Sequence, residues 1–197
     1  MSFYHEGQRA LQDAFDSRRI ADRLEQVTLH ERLHEGDRDF IGRCAMFFLA
    51  TVDDEGRPDV SYKGGHPGFV QVLSDEELAF PHYDGNGMFR SMGNVLAHPE
   101  VALLFVDFER PDRMRVHGRA EVVLDEPLVA HWPGAQAAVR VRVDRVFPNC
   151  PRYVHRMTLQ HPSPYLPREG ATPLVPEWKQ MEIFRDALPG TDPQTDL

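Results

Sequence analysis

Lys63, Arg90, Arg113 and Arg115 stand among glycines and asparagines between positions 47 and 121, a mixture that suits one kind of chemistry. Cationic side chains fixed on strands, with backbone N–H groups brought close by glycine, make a preorganised anion site. A phosphate-bearing cofactor is its natural guest. Lys63 precedes Gly64 and Gly65, so the backbone can approach whatever the ammonium holds. The stretch 83–94 offers Tyr83, Asn86, Arg90, Ser91 and Asn94 among three glycines, the donors that grip phosphate and ribityl oxygens. Arg113, Arg115 and His117 fall on one side of a strand by the period of two.

A rival motif lies upstream. His30, Glu31 and His34 satisfy H-E-x-x-H, which on a helix places two imidazoles on one face for zinc, with the glutamate as general base. The extended form fails, because Asp37 and Phe40 occupy the positions where glycine and a third histidine belong. A short, polar, solvent-facing helix is the expectation, and a zinc hydrolase ranks last among the alternatives. The sequence has no P-loop, no dinucleotide-binding glycine fingerprint and no nucleophile elbow. Phosphate would be bound by strand ends and loops.

Periodicity predicts the elements that position these groups. Leu11, Phe15, Ile20 and Leu24 recur at helical spacing over 8–25, and further short helices are expected at 29–35 and leading into Ile41. Strands are expected at 45–52, 58–63, 69–73, 77–80, 101–106, 113–123 and 139–143, with turns at the Gly, Asp and Pro clusters between them. Six or more short strands in about 100 residues suggest a barrel. The reading divides the chain into a helical extension (1–40), the barrel domain (41–160) and a proline-rich segment with a short helix at 177–187 (161–197), its end at 189–193 frayed.

Composition bounds the function. The 197 residues carry 22 Lys+Arg against 31 Asp+Glu, a net charge of −9, so any anion site is local and the surface is not built for nucleic acid or acidic membranes. No membrane span or signal peptide is read, which makes the cytoplasm the default. Two cysteines, Cys44 and Cys150, are too few for a disulfide framework.

Taken in order, Leu49-Ala50-Thr51-Val52-Asp53, Gly56-Arg57-Pro58, Lys63-Gly64-Gly65, Pro67-Gly68-Phe69, Phe80-Pro81, Gly85-Asn86, Gly93-Asn94, His98-Pro99 and Arg115-Val116 resemble the pyridoxamine 5′-phosphate oxidase-related flavin-binding split barrels. Phe147-Pro148-Asn149-Cys150-Pro151 is similar to a further signature of one branch. The resemblance implies a mainly β fold with peripheral helices, an FMN-binding split β-barrel forming a homodimer with one FMN in each interface cleft. It implies a cofactor set of Ser61, Lys63, Tyr83, Asn86, Arg90, Ser91, Asn94, Arg113, Arg115, Asn149 and Cys150, with Lys63, Arg90 and Ser91 on the phosphate. Arg113 or Arg115 would face the flavin and the loop at Asn149 and Cys150 its ring system, from the other subunit.

The expected activity is FMN-dependent oxidoreduction of a small molecule by hydride transfer, possible donors being NADH and NADPH. Deazaflavin F420 is the second choice of cofactor, and a flavin-sequestering protein without turnover is the alternative function. The tail around Trp178 lacks the C-terminal arginine–histidine signature of the vitamin B6 oxidases, so that specific activity is not expected. His66, Tyr83 and His117 read as cofactor-lining or structural groups, and no acid or base declares itself as catalytic.

Overall fold

The computed structural model describes residues 3–124, 126–170, 172 and 174–190. Two helices, α1 (Glu6–Ala14) and α2 (Arg18–Thr28), precede α3 (Glu35–Arg43). Strands β1 (Met46–Val52), β2 (Pro58–Gly64), β3 (Gln71–Val72) and β4 (Glu77–Tyr83) lead to helix α4 (Arg90–Ala97). Then come β5 (Glu100–Asp107), β6 (Asp112–Val123), the short α5 (Glu126–Val129) and β7 (Ala135–Pro148). A 3-10 turn (Glu177–Gln180) and α6 (Glu182–Arg185) follow. No helix among the described residues is long and apolar enough to cross a membrane.

All seven strands join one antiparallel sheet in the order β2-β1-β5-β6-β7-β4-β3. Phe47 of β1 lies with its ring centroid 4.9 Å from that of Phe80 on β4, although three strands separate β1 from β4 in the sheet. The sheet therefore curls until its inner face closes on itself, and the edges left unjoined, β2 and β3, form the seam of a split barrel. Phe47, Leu49, Phe80, Leu103, Phe105, Val116, Val139 and Val141 fill the interior, each fully buried. Leu33, Phe40 and Ile41 from the α3 region join the same cluster.

Several expected boundaries move. The 8–25 helix is two helices, broken where Asp16 adopts a left-handed φ of 48°. Its apolar stripe stays exposed, with Leu11, Phe15, Ile20 and Leu24 uncovered by the barrel. The expected helix at 29–35 does not form: His30 instead exchanges two backbone hydrogen bonds with Val146 (3.0 and 2.7 Å). The stretch 83–94, read without a helix, runs into helix over Arg90–Ala97, and 69–73 shrinks to the two residues of β3. The expected 139–143 strand grows to fourteen residues, because β7 is paired on both edges, by β6 and β4. The expected terminal fraying at 189–193 falls partly on 191–193, outside the described residues.

Candidate cofactor cleft at the barrel seam

The register of β1 with β2 decides where the lysine points. Lys63 pairs with Phe47 and Ser61 with Leu49, so both share the inner face with core side chains. They lie on an edge strand, so their inner positions open into the seam rather than the core. Lys63 is partly buried, and desolvation lowers its pKa while Asp59 pulls the other way. Among the described residues nothing donates to, accepts from or ion-pairs with its ammonium. A desolvated, unpaired cation of this kind is costly unless a ligand supplies the counter-charge.

The rest of the cleft gathers from β4, the loop after it and α4. A hollow of about 570 Å³, within the usual size for a cofactor site, is lined by Ser61, Lys63, His82, Tyr83, Asn86, Phe89, Arg90 and Ser91 among others. Ser91 is buried and donates to Ser61 Oγ (2.9 Å) across the seam. Arg90 sits 3.6 Å from Asp59 with its guanidinium largely exposed. The N-terminus of α4 opens here too. No side chain caps that terminus, and its first residue boundary, Phe89, holds a left-handed φ of 48°. The leading N–H groups therefore have no helical acceptor, and the helix dipole favours negative charge at the same point.

Nearby titratable groups fit an anion site. Burial, then Lys63, hold His82 below its usual pKa, with Asp84 opposing, so a second positive charge beside the lysine is disfavoured. Desolvation raises the Tyr83 phenol and keeps it neutral. The C-terminal segment supplies a further wall: Pro176 and Trp178 line the cleft, held by Lys179, whose buried ammonium lies 2.6 Å from Asp84.

The structure does not bring every expected residue to this cleft. Asn94 donates to Thr51 Oγ1 (3.0 Å), tying α4 to β1 outside the lining. Arg113 and Arg115 lie on the outer face, because Arg115 pairs with Leu104, whose partner Phe48 pairs with Tyr62. Three strand steps separate Lys63 from Arg115, about 14 Å along the sheet, so within one chain they do not converge. Arg113 donates to the Cys150 carbonyl (2.8 Å), while its Nε and Asn149 Oδ1 are buried without partners. Cys150 is exposed and Cys44 buried, both free thiols. His66 is exposed, and His117 is held below its usual pKa by burial, then by Arg115 and Arg145.

Asp59, His82, Phe89 and Trp178 were not singled out from sequence. The apolar run through Pro81 could have extended the β4 reading to His82, but nothing local signals that Trp178 returns to residues more than ninety positions earlier.

A curled antiparallel sheet that closes on one core and stays open at the β2–β3 seam defines a split-barrel protein. The chain belongs to the pyridoxamine 5′-phosphate oxidase family, whose model matches residues 33–150. No curated protein matches the chain significantly. Among solved structures, it is similar to HupZ of Group A Streptococcus (19% identity, TM-score 0.51, covering 64% of this chain and 99% of that one). It is also similar to an FMN-binding protein of Syntrophomonas wolfei (11%, TM-score 0.43, 71% and 97%). HutZ, the heme storage protein of Vibrio cholerae, is a third (21%, TM-score 0.41, 59% and 94%). Likeness at this level is a likeness of fold, and ligand choice rests with the site.

Proposed function

We propose that the chain binds FMN by its phosphate in the seam cleft and works in the cytoplasm as a homodimeric flavin-dependent oxidoreductase on a small molecule. One observation carries the reading: Lys63, desolvated and with no hydrogen bond or ion pair to the described residues, stands with Arg90, the Ser61–Ser91 pair and the uncapped α4 terminus around one hollow. Cations, hydroxyls and backbone N–H groups together match a phosphate monoester. Family membership supports the same ligand class.

Bound flavin would supply hydride acceptance and return. The chain would contribute position and field. Lys63 and Arg90 would neutralise the phosphate, Ser61 and Ser91 would orient it, and Trp178 and Phe89 would limit water at the mouth of the cleft.

The outer face supports the dimer. Val60 and Tyr62 expose 63% each, and they continue through partly buried Phe48 and Leu104 into one apolar sheet surface. A second copy seated there would meet Arg113, Arg115, Asn149 and Cys150, where the unpartnered Arg113 Nε and Asn149 Oδ1 await acceptor and donor. Those four residues then serve the partner's cleft in this reading.

Purified chain should be yellow, absorbing at about 450 nm, and release FMN identified by mass spectrometry. Bleaching by NADH or NADPH, with reoxidation by an acceptor, separates an enzyme from a flavin-sequestering protein. A chain that takes up F420 or heme in preference to FMN overturns the assignment.

A further inference from the structure

The H-E-x-x-H segment does not form the helix its pattern suggests, yet its two histidines come together by another route. His30 is pinned to β7 through Val146, and His34 is the residue immediately before α3. Their rings stack with centroids 4.1 Å apart and 12° between planes. Asp37, in the first turn of α3, completes the group, and one ligand atom from each of the three lies within 4.8 Å of the others.

Hydrogen-bond valence at His30 shows what this group lacks. Its Nδ1 lies 3.2 Å from the Thr28 carbonyl oxygen, and its Nε2 lies 2.7 Å from Asp37 Oδ2. Both neighbours are pure acceptors, but a neutral imidazole has one N–H to give. With Nδ1–H donated to Thr28, the lone pair of Nε2 faces the carboxylate at hydrogen-bonding distance, so the pair takes either a proton or, with the two atoms drawn apart, a metal ion. Asp37 Oδ2 already accepts from the His34 backbone N–H (2.8 Å), so it holds its orientation.

We propose that His30, His34 and Asp37 form a binding site for a divalent transition-metal ion of the zinc type. Two imidazoles and one carboxylate are a common zinc set, with water in the fourth position. The Nδ1 bond to a backbone carbonyl is the outer-shell contact that fixes the tautomer of a ligating histidine. Tetrahedral zinc ligands lie about 3.3 Å apart by the usual bond lengths, so an ion would draw His30 Nε2 and Asp37 Oδ2 apart from 2.7 Å and turn the exposed His34 ring out of its stack on His30. The ion would clasp the end of the N-terminal helices to α3 and hence to the barrel core. Nothing here resembles a hydrolase: Glu31 is exposed and the segment is not helical, so no general base is held over the ion.

Zinc titration by calorimetry on the full, chelator-stripped chain tests the site. One ion per chain is expected, with at least tenfold weaker binding in His34→Gln and in Asp37→Asn, which keeps the shape and an acceptor but removes the charge. The control His161→Gln should stay within twofold of the parent. Zinc should also raise the melting temperature of the parent and not of His34→Gln. Absence of stoichiometric binding, or either site variant binding within twofold of the parent, leaves a proton on Nε2 as the positive centre and overturns the proposal.

Discussion

Lys63 shows how one residue can serve a ligand at the expense of the empty fold. Its burial disfavours the charged form more than Asp59 favours it, so Lys63→Met should leave the cofactor-free chain equally or more heat-stable. The same change should weaken FMN binding about 10–100-fold, the worth of a charge-assisted hydrogen bond, as read by fluorescence titration of flavin. Loss of stability with unchanged affinity would assign Lys63 to structure alone. His82 and His117 carry a pH signature. Both are held below their ordinary value of 6.5, chiefly by burial, so the unfolded chain binds the proton more readily than the folded one. Their contribution to stability is therefore complete above about pH 6.5 and declines as pH falls through the lowered folded values. Melting temperatures of His82→Asn and His117→Asn should fall less steeply with acidification than the parent's.

At the scale of elements, the sheet depends on close approach at one glycine. Gly118 sits where the β6–β7 register shifts, and an added Cβ would overlap the Arg142 carbonyl oxygen of the facing strand. Backbone cannot yield as a flexible side chain can. Gly118→Ala should destabilise the chain by about 2–3 kcal/mol in urea denaturation, without altering which ligand is bound. The strands were legible by two signals: β1 as a continuous apolar run stopped by a turn at 53–56, and β6 by the period of two that puts Met114 and Val116 inside. α4 was not, because Ser91, Gly93 and Asn94 are poor helix formers that also populate turns. Packing of buried Met92 and Val95 on the barrel overrides that weak local preference. The H-E-x-x-H pattern misled in the opposite direction, since pairing of His30 with Val146 claims the backbone that a helix would need.

At the scale of the molecule, Val60 and Tyr62 belong both to the exposed apolar strip and to the lining of the cleft on the same edge strand, so assembly and cofactor binding should be linked. Tyr62→Asp should shift the chain to a monomer in light-scattering chromatography and weaken flavin binding at least tenfold, while its circular dichroism is retained. A stable dimer with Tyr62→Asp would place the interface elsewhere. By itself the sequence determined the family, the mainly β class and the cationic and hydroxyl groups near Lys63, Arg90 and Ser91, because these follow from residue type, strand period and motif order. Only the tertiary structure decided that Arg113 and Arg115 face away from Lys63, that Asn94 braces β1 and that Trp178 walls the cleft. The reason is that alternation places a side chain on one of two faces, whereas register across several strands and the curl of the sheet decide which face is inside.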